Sequence, residues 1–470
     1  MIASLVLPLA IYVFFVWLCA AGMSVNGEYP LAFGLIDDSG KIGPLAVALA
    51  YFLLLFVLFC LVTALAPNAN SLHRIYRDKL SKAFLFDPVR PAGSDTRDDL
   101  PSRDTMKLSK ASPATGGPYH LINAAINLQK SKYANRRGRN ATFFLFSPEY
   151  VGSDVTGYVA TDEIEMDDEH IDLGTAMAIS GAAVSANMGS YTISSLAPTL
   201  ALLNIRLGYW LVNPRAVKVT DPSKLLIPKA LATDANVGRN RLWSYFSKYY
   251  LLSEIRGQLS EMSSHIYVTD GGHIENLGFY QLLKRGCRAI IVVDAEADPA
   301  LTFRALARVE RYARIDLGIR IDLPWEQIAQ GAVSSTQPPG LDRSVGWPVG
   351  APHCALGLVQ YPNGKDGILL YIKACVTGDE PDYVLDYKSR NPSFPHESTG
   401  DQFFSEEQFE AYRALGFHAV QSFFDGRIGF VWRPGNQWDG FRKADPHTGK
   451  VSTSLISASE LRECFLELLK

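Results

Sequence analysis

Two long apolar runs dominate the first part of the chain. Residues 1–27 carry no charged side chain, and residues 2–23 are almost wholly apolar. At 1.5 Å per residue in a helix, such a run is about long enough to cross a bilayer core. Residues 43–66 repeat the pattern after a short polar loop, so the two runs predict a transmembrane helical hairpin. A signal peptide is the competing reading of the first run. It has no basic leading segment, its apolar part is long, and a second run follows closely. The intervening loop holds Glu28, Asp37, Asp38 and Lys41, whereas Arg74, Arg77, Lys79 and Lys82 follow the second run. Basic residues flanking a span tend to stay cytoplasmic, which places both ends of the hairpin and the remaining chain on that side.

Beyond the hairpin the pattern changes to that of a folded body. Residues 87–117 are rich in Pro, Ser, Asp, Gly and Lys and read as an exposed connector. "ATFFLFSP" (141–148) has the continuous apolar character of a buried strand, and residues 171–180 lead into the small-residue stretch "GTAMAISGAAVSANMG". "HIYVTDGG" (265–272) alternates as a strand does and ends in a turn. "CRAIIVVDAEAD" (287–298) is a continuous apolar strand ending in acids. Between them "NLGFYQLLKRG" has helical spacing with Gly286 as a stop. Strand, helix, strand is the unit of a parallel sheet covered by helices. The expected fold class is therefore α/β, a parallel-sheet sandwich covered by helices and preceded by the hairpin. The boundaries are 1–70 for the hairpin, 71–117 for a basic juxtamembrane segment and connector, and 118–470 for the α/β region.

A net charge of −3 and the absence of any zinc-finger or basic-zipper pattern argue against nucleic acid as a partner. Six widely spaced cysteines with no C-x-x-C pair fit a reducing compartment.

Asp270 is the first candidate for chemistry. It closes a predicted strand and is followed by Gly271 and Gly272, and functional groups in open α/β sheets gather at such strand ends. A carboxylate there can orient or deprotonate a serine hydroxyl within hydrogen-bond reach. Asp-Gly is also a common turn, so the motif alone leaves both readings open.

The stretch "VTDGGHIENLGFYQLLKRGCRAIIVVDAEAD" resembles the aspartate end of patatin-like phospholipases and their relatives among cytosolic phospholipases. "GTAMAISGAAVSANMG" is similar to the family's small-residue segment after the nucleophile. "FPHESTGDQFFSEEQFEAYRALG" (394–416) and "SLHRIYRDKLSKAFL" resemble parts of large bacterial members that carry membrane spans. The resemblance implies a patatin-like fold, a membrane-tethered lipid acyl hydrolase, and a Ser-Asp dyad whose aspartate maps to Asp270. Gly271, Gly272 and His273 would form the turn around it. It also implies a bacterial inner-membrane location with a cytoplasmic body, membrane lipid as the partner, and no cofactor.

The family's glycine-rich oxyanion loop and G-x-S-x-G nucleophile turn have no counterpart in the sequence. The nearest string is "AISGA" around Ser180, with alanine at both glycine positions, which makes Ser180 a weak candidate nucleophile and better suited to packing. "GGP" at Gly116, Gly117 and Pro118 is a poor oxyanion candidate because proline has no N–H. The expectation is that a separate polypeptide or an upstream segment supplies the nucleophile. The alternative is a non-catalytic membrane protein that binds lipid or a partner. No metal is expected, since His273 and Glu275 form an H-x-E string without further ligands. The acidic run from Asp162 to His170 lacks the spacing of a calcium loop and reads as a solvated hairpin. The basic run Lys130, Lys132, Arg136, Arg137 and Arg139 reads as a solvated loop, with contact to anionic headgroups as the alternative.

Overall fold

A computed structural model describes, in the main, residues 72–87, 101–113, 117–131, 138–182, 207–228, 250–326, 352–398, 404–424, 430–431 and 458–469, with a few isolated positions elsewhere. The predicted hairpin falls almost wholly outside these residues. Among the described residues no helix is long and apolar enough to cross a membrane.

Two sheets organise the body. The first has seven strands: β1 (Ile122–Asn127), β2 (Ala141–Phe146), β3 (Tyr150–Ser153), β4 (Gly157–Ala160), β5 (Tyr209–Val212), β6 (Leu225–Leu226) and β7 (His265–Asp270), in the order β5-β7-β1-β2-β3-β4-β6. Every pairing in it is antiparallel. The second holds β8 (Ala289–Asp294), β9 (Arg320–Asp322), β10 (Cys354–Gln360), β11 (Gly367–Lys373) and β12 (Phe430–Val431), with β8 parallel to β11 and β12 parallel to β10. The architecture is therefore mixed α/β, and the expected parallel sandwich is corrected. β7 and β8, read as neighbours across a crossover, lie in different sheets. Both edges of β7 are taken, by β1 and β5, and its helix α5 (Phe279–Lys284) passes the chain from one sheet to the other.

The strand patterns show why the layers stack. Along β1 and β2, Ala124, Ile126, Phe144 and Phe146 face one core, and Ala125, Ala141 and Phe143 face another. Apolar side chains on both faces account for the uninterrupted hydrophobic run of "ATFFLF". Burying each phenylalanine contributes roughly 1.5–3 kcal/mol. The first core is closed by α3 (Leu173–Ser180) and Leu108, the latter from the stretch expected to be an exposed connector. The second core lies between the sheets and takes in α5 and α6 (Arg304–Tyr312). The outer face of the second sheet packs on α8 (Glu406–Phe424) and α9 (Ala458–Leu468), while α7 (Asp382–Arg390) joins α8 in a smaller cluster. β8 is less enclosed than its run of apolar residues suggests, because Ile291 and Val293 are exposed at the sheet edge.

Helix α1 (Leu72–Phe84) lies against α3. Arg77 donates to Asp172 Oδ2 at 2.5 Å, and Asp172 caps α3 by accepting from the Thr175 N–H at 2.7 Å. The His73 ring lies 2.6 Å from the Leu207 carbonyl. The acidic run is also corrected. Residues Thr161–Asp167 form α2, not a solvated hairpin, with Glu163 buried against Thr220 and Glu165 buried against Ser109. α4 (Tyr250–Ile255) completes the described helices on the β5 side, where Glu254 accepts from the Trp210 indole at 2.6 Å.

Candidate active site

Asp270 ends β7, an interior strand of the first sheet beside edge strand β5, directly opposite Ala124 of β1. The chain then turns tightly through Gly271–His273, with the Gly272 N–H donating to Asp270 Oδ1 at 2.6 Å. Gly271 is sterically required by backbone, and Gly272 by the present position of the Asn276 side chain. A Cβ at Gly271 would sit 2.8 Å from the Asn123 carbonyl oxygen, and one at Gly272 would sit 1.9 Å from Asn276 Oδ1. The turn is thus held hard against β1, and among the described residues the Asp270 carboxylate is held by its own backbone and pairs with no cation.

Burial pushes the Asp270 carboxyl up to about 6, only partly offset by the Gly272 N–H. Burial also raises the Tyr76 hydroxyl, with the Asp270 charge adding to the effect, so this α1 residue lies within electrostatic reach of the carboxylate. Its Oη would be 2.8 Å from a Cβ at Gly181. A carboxylate that ionises near neutrality in a half-buried setting is a competent proton acceptor at physiological pH.

The remaining sequence candidates fall around this centre. Ser180 is the last residue of α3, and its hydroxyl donates to the Asn123 carbonyl at 2.7 Å, not to Asp270. It sits at a helix C-terminus, whose partial negative charge disfavours an alkoxide. A nucleophile elbow places its serine instead between a strand and a helix N-terminus. His273 is buried and pairs through Nδ1 with Thr269 Oγ1 at 2.9 Å, and Thr269 in turn accepts from Asn127 at 2.9 Å. Glu275 is separate from it. Its carboxylate accepts the Leu277 and Tyr280 N–H groups at the start of α5, and burial raises it to about 7 against those bonds. His273 and Glu275 therefore serve the walls of the turn. Gly117 and Pro118 are exposed, and Gly116 lies outside the described residues. Of the basic run, Lys130 binds Gln258 and Arg139 forms a bidentate pair with Asp316, while Lys132, Arg136 and Arg137 lie outside the described residues.

Tyr76 and Asn123 were not singled out from sequence. Tyr76 lies 194 positions before Asp270 in the chain and carries no motif of its own, so only the docking of α1 reveals it. A cleft of about 250 Å³ between β2, β3 and α5 is lined by Arg139, Asp154, Tyr158, Tyr280, Lys284 and Asp316 among others. Asp270, Ser180 and Tyr76 do not line it, and its charged groups are engaged with one another as Lys284–Asp154 and Arg139–Asp316 pairs.

No protein-family model matches the sequence, and no curated protein sequence matches it. Among solved structures, human GIVD cytosolic phospholipase A2 is similar over 69% of this chain and 46% of its own, at 14% identity and a TM-score of 0.34. This chain thus spans less than half the length of that protein.

Proposed function

We propose that this chain contributes the catalytic carboxylate of a lipid acyl hydrolase of the patatin-like type. The observation that carries the reading is the setting of Asp270: a half-buried carboxylate at the end of an interior strand, ionising at about 6, followed by a glycine that backbone contact requires. In the proposed reaction Asp270 takes the proton of a serine hydroxyl as its oxygen bonds to the ester carbonyl carbon. The ester C–O bond breaks and the leaving alcohol takes that proton. Water then hydrolyses the acyl-serine, with Asp270 again the base. In this reading the attacking serine is not Ser180, whose hydroxyl donates to a main-chain carbonyl at a helix C-terminus. It comes from another segment or polypeptide. A hairpin within residues 1–70 holds the body at the cytoplasmic face of a bacterial inner membrane, beside its lipid substrate.

One observation favours a second reading, a protein that holds lipid or a partner without turnover: no serine among the described residues hydrogen bonds to Asp270. The two readings separate on a serine-reactive fluorophosphonate applied to native membranes containing the tagged chain. The hydrolase reading expects labelling, of this chain or of a polypeptide purified with it, that survives Ser180→Ala and is lost in Asp270→Asn. Absence of labelling from all of these species selects the binding protein.

A further inference from the structure

A second cluster of chemically capable side chains lies on the other sheet. His353 immediately precedes β10, Asp379 follows β11, and His418 projects from α8. Each offers one donor atom, and the three atoms lie within 4.8 Å of one another. His418 Nε2 is 3.2 Å from Asp379 Oδ1, and His353 Nε2 is 3.5 Å from the same oxygen. Two zinc ligands at about 2.0–2.1 Å in a tetrahedral arrangement stand about 3.3 Å apart. The two His–Asp spacings are close to an edge of such a tetrahedron, and the His353–His418 separation lies within 4.8 Å.

The surroundings of the three donor atoms supply further polar groups. His418 Nε2 is buried and close to Asp379 Oδ1, yet lacks the alignment of a hydrogen bond. His353 Nε2 also lies 3.0 Å from Thr377 Oγ1, so a cation bound here would displace the proton these groups share. The imidazole rings stand at 87° with centroids 5.3 Å apart, so their ring nitrogens converge from different directions. Glu380 Oε1 lies 3.8 Å from His353 Nε2. Its carboxylate is pinned by the N–H groups of Thr377 at 2.6 Å and Gly378 at 2.8 Å. Thr377 Oγ1 donates to Asp379 Oδ1 at 2.6 Å, and Cys375 Sγ lies 3.8 Å from His353 Nδ1. Such outer partners orient metal ligands. Two neutral imidazoles with the Asp379 and Glu380 carboxylates also balance a charge of 2+.

We propose that His353 Nε2, His418 Nε2 and Asp379 Oδ1 form a binding site for one divalent first-row transition cation of the zinc type. Glu380 provides the balancing charge, and the cation fastens α8 to the ends of β10 and β11. His418 and Asp379 are about a quarter exposed, which leaves a route for the ion and a fourth position for water. Two imidazoles and a carboxylate select this class over calcium or magnesium, which prefer all-oxygen shells. No motif spacing announced the site, because its ligands come from three separate elements.

The test uses the full chain, stripped with EDTA and desalted, then titrated with zinc chloride while heat and thermal melting are followed. The expected result is one zinc per chain and a rise in Tm. Cobalt in place of zinc should give visible absorption bands of a low-symmetry, nitrogen- and oxygen-ligated ion. His418→Gln, at a partly exposed position that disturbs the fold least, should keep the apo melting temperature and weaken zinc binding by more than about 100-fold, beyond what loss of an outer partner costs. Asp379→Asn should do the same. No uptake by the wild type, or equal uptake by a folded His418→Gln chain, overturns the proposal and leaves a hydrogen-bonded His–Asp cluster.

Discussion

The Ser180 hydroxyl donates to the main-chain carbonyl of Asn123 at 2.7 Å, and Gly271 packs against that same carbonyl from the β7 side. Ser180 and the aspartate turn thus meet on one peptide group of β1 without meeting each other. The bond closes α3 onto the sheet, a packing role. Ser180→Ala should cost about 1 kcal/mol, a typical net value for one hydrogen bond, and leave serine-probe labelling unchanged. Denaturant melts alongside labelling check both halves of this expectation.

Asp270 makes an opposite prediction for stability. Its folded pKa, about 6, lies above its ordinary value of 3.8, so the folded state holds the proton more tightly. The stability this contributes is complete below pH 3.8 and is lost as pH rises through about 6. Above that, a half-buried charge remains at a cost on the order of 2–3 kcal/mol. Asparagine escapes the cost and still accepts from Gly272. Asp270→Asn should therefore melt with the wild type at pH 4 and above it at pH 8. Equal melting at both values would show that the carboxylate is better solvated than its position suggests.

Asp294 ends the next strand but is held differently. Lys373 donates to its Oδ1 at 3.0 Å with both side chains buried, Tyr371 donates to its other oxygen, and Lys373 also donates to the Glu296 carbonyl at 3.1 Å. Asp294→Asn leaves a buried ammonium without its counter-charge, which typically costs about 3–5 kcal/mol. The expected outcome is a large loss of stability, read in urea melts, with no selective effect on chemistry.

Close packing of α1 on α3 depends on Gly174, where a Cβ would sit 2.5 Å from Ser81 Oγ. That hydroxyl is buried and, among the described residues, has no hydrogen-bond partner. Gly174→Ala should destabilise the protein by about 1–3 kcal/mol through overpacking. Ser81→Ala should be harmless alone and should recover much of the loss in the double variant. A double-mutant cycle on melts reads the coupling directly.

The local pattern carried much of this fold. The alternation in "HIYVTD" and the helical spacing of "FYQLLK" marked β7 and α5, and the apolar run after Arg288 marked β8. Pairing was not legible, because partners are non-local: β7 takes β1 and β5, and β8 takes β11. For the same reason the acidic run looked solvated, although Glu163 meets Thr220 at a separation of 57 residues and Glu165 meets Ser109 at 56. Asp270 was legible from its strand end and its two glycines. Tyr76 and the His353–Asp379–His418 cluster were not, since only tertiary packing assembles them.

The central claim is that Asp270 is the base of an acyl-transfer site. The most direct test is kcat/KM for a short-chain ester, per folded molecule, in membranes carrying the protein at its natural level, comparing wild type with Asp270→Asn and with Ser180→Ala as the structural control. Turnover should rise with pH through about 6 in the wild type. It should fall by roughly 10³–10⁴-fold in a well-folded Asp270→Asn protein, as when a triad-type carboxylate is neutralised. Near wild-type turnover by that variant would contradict the account.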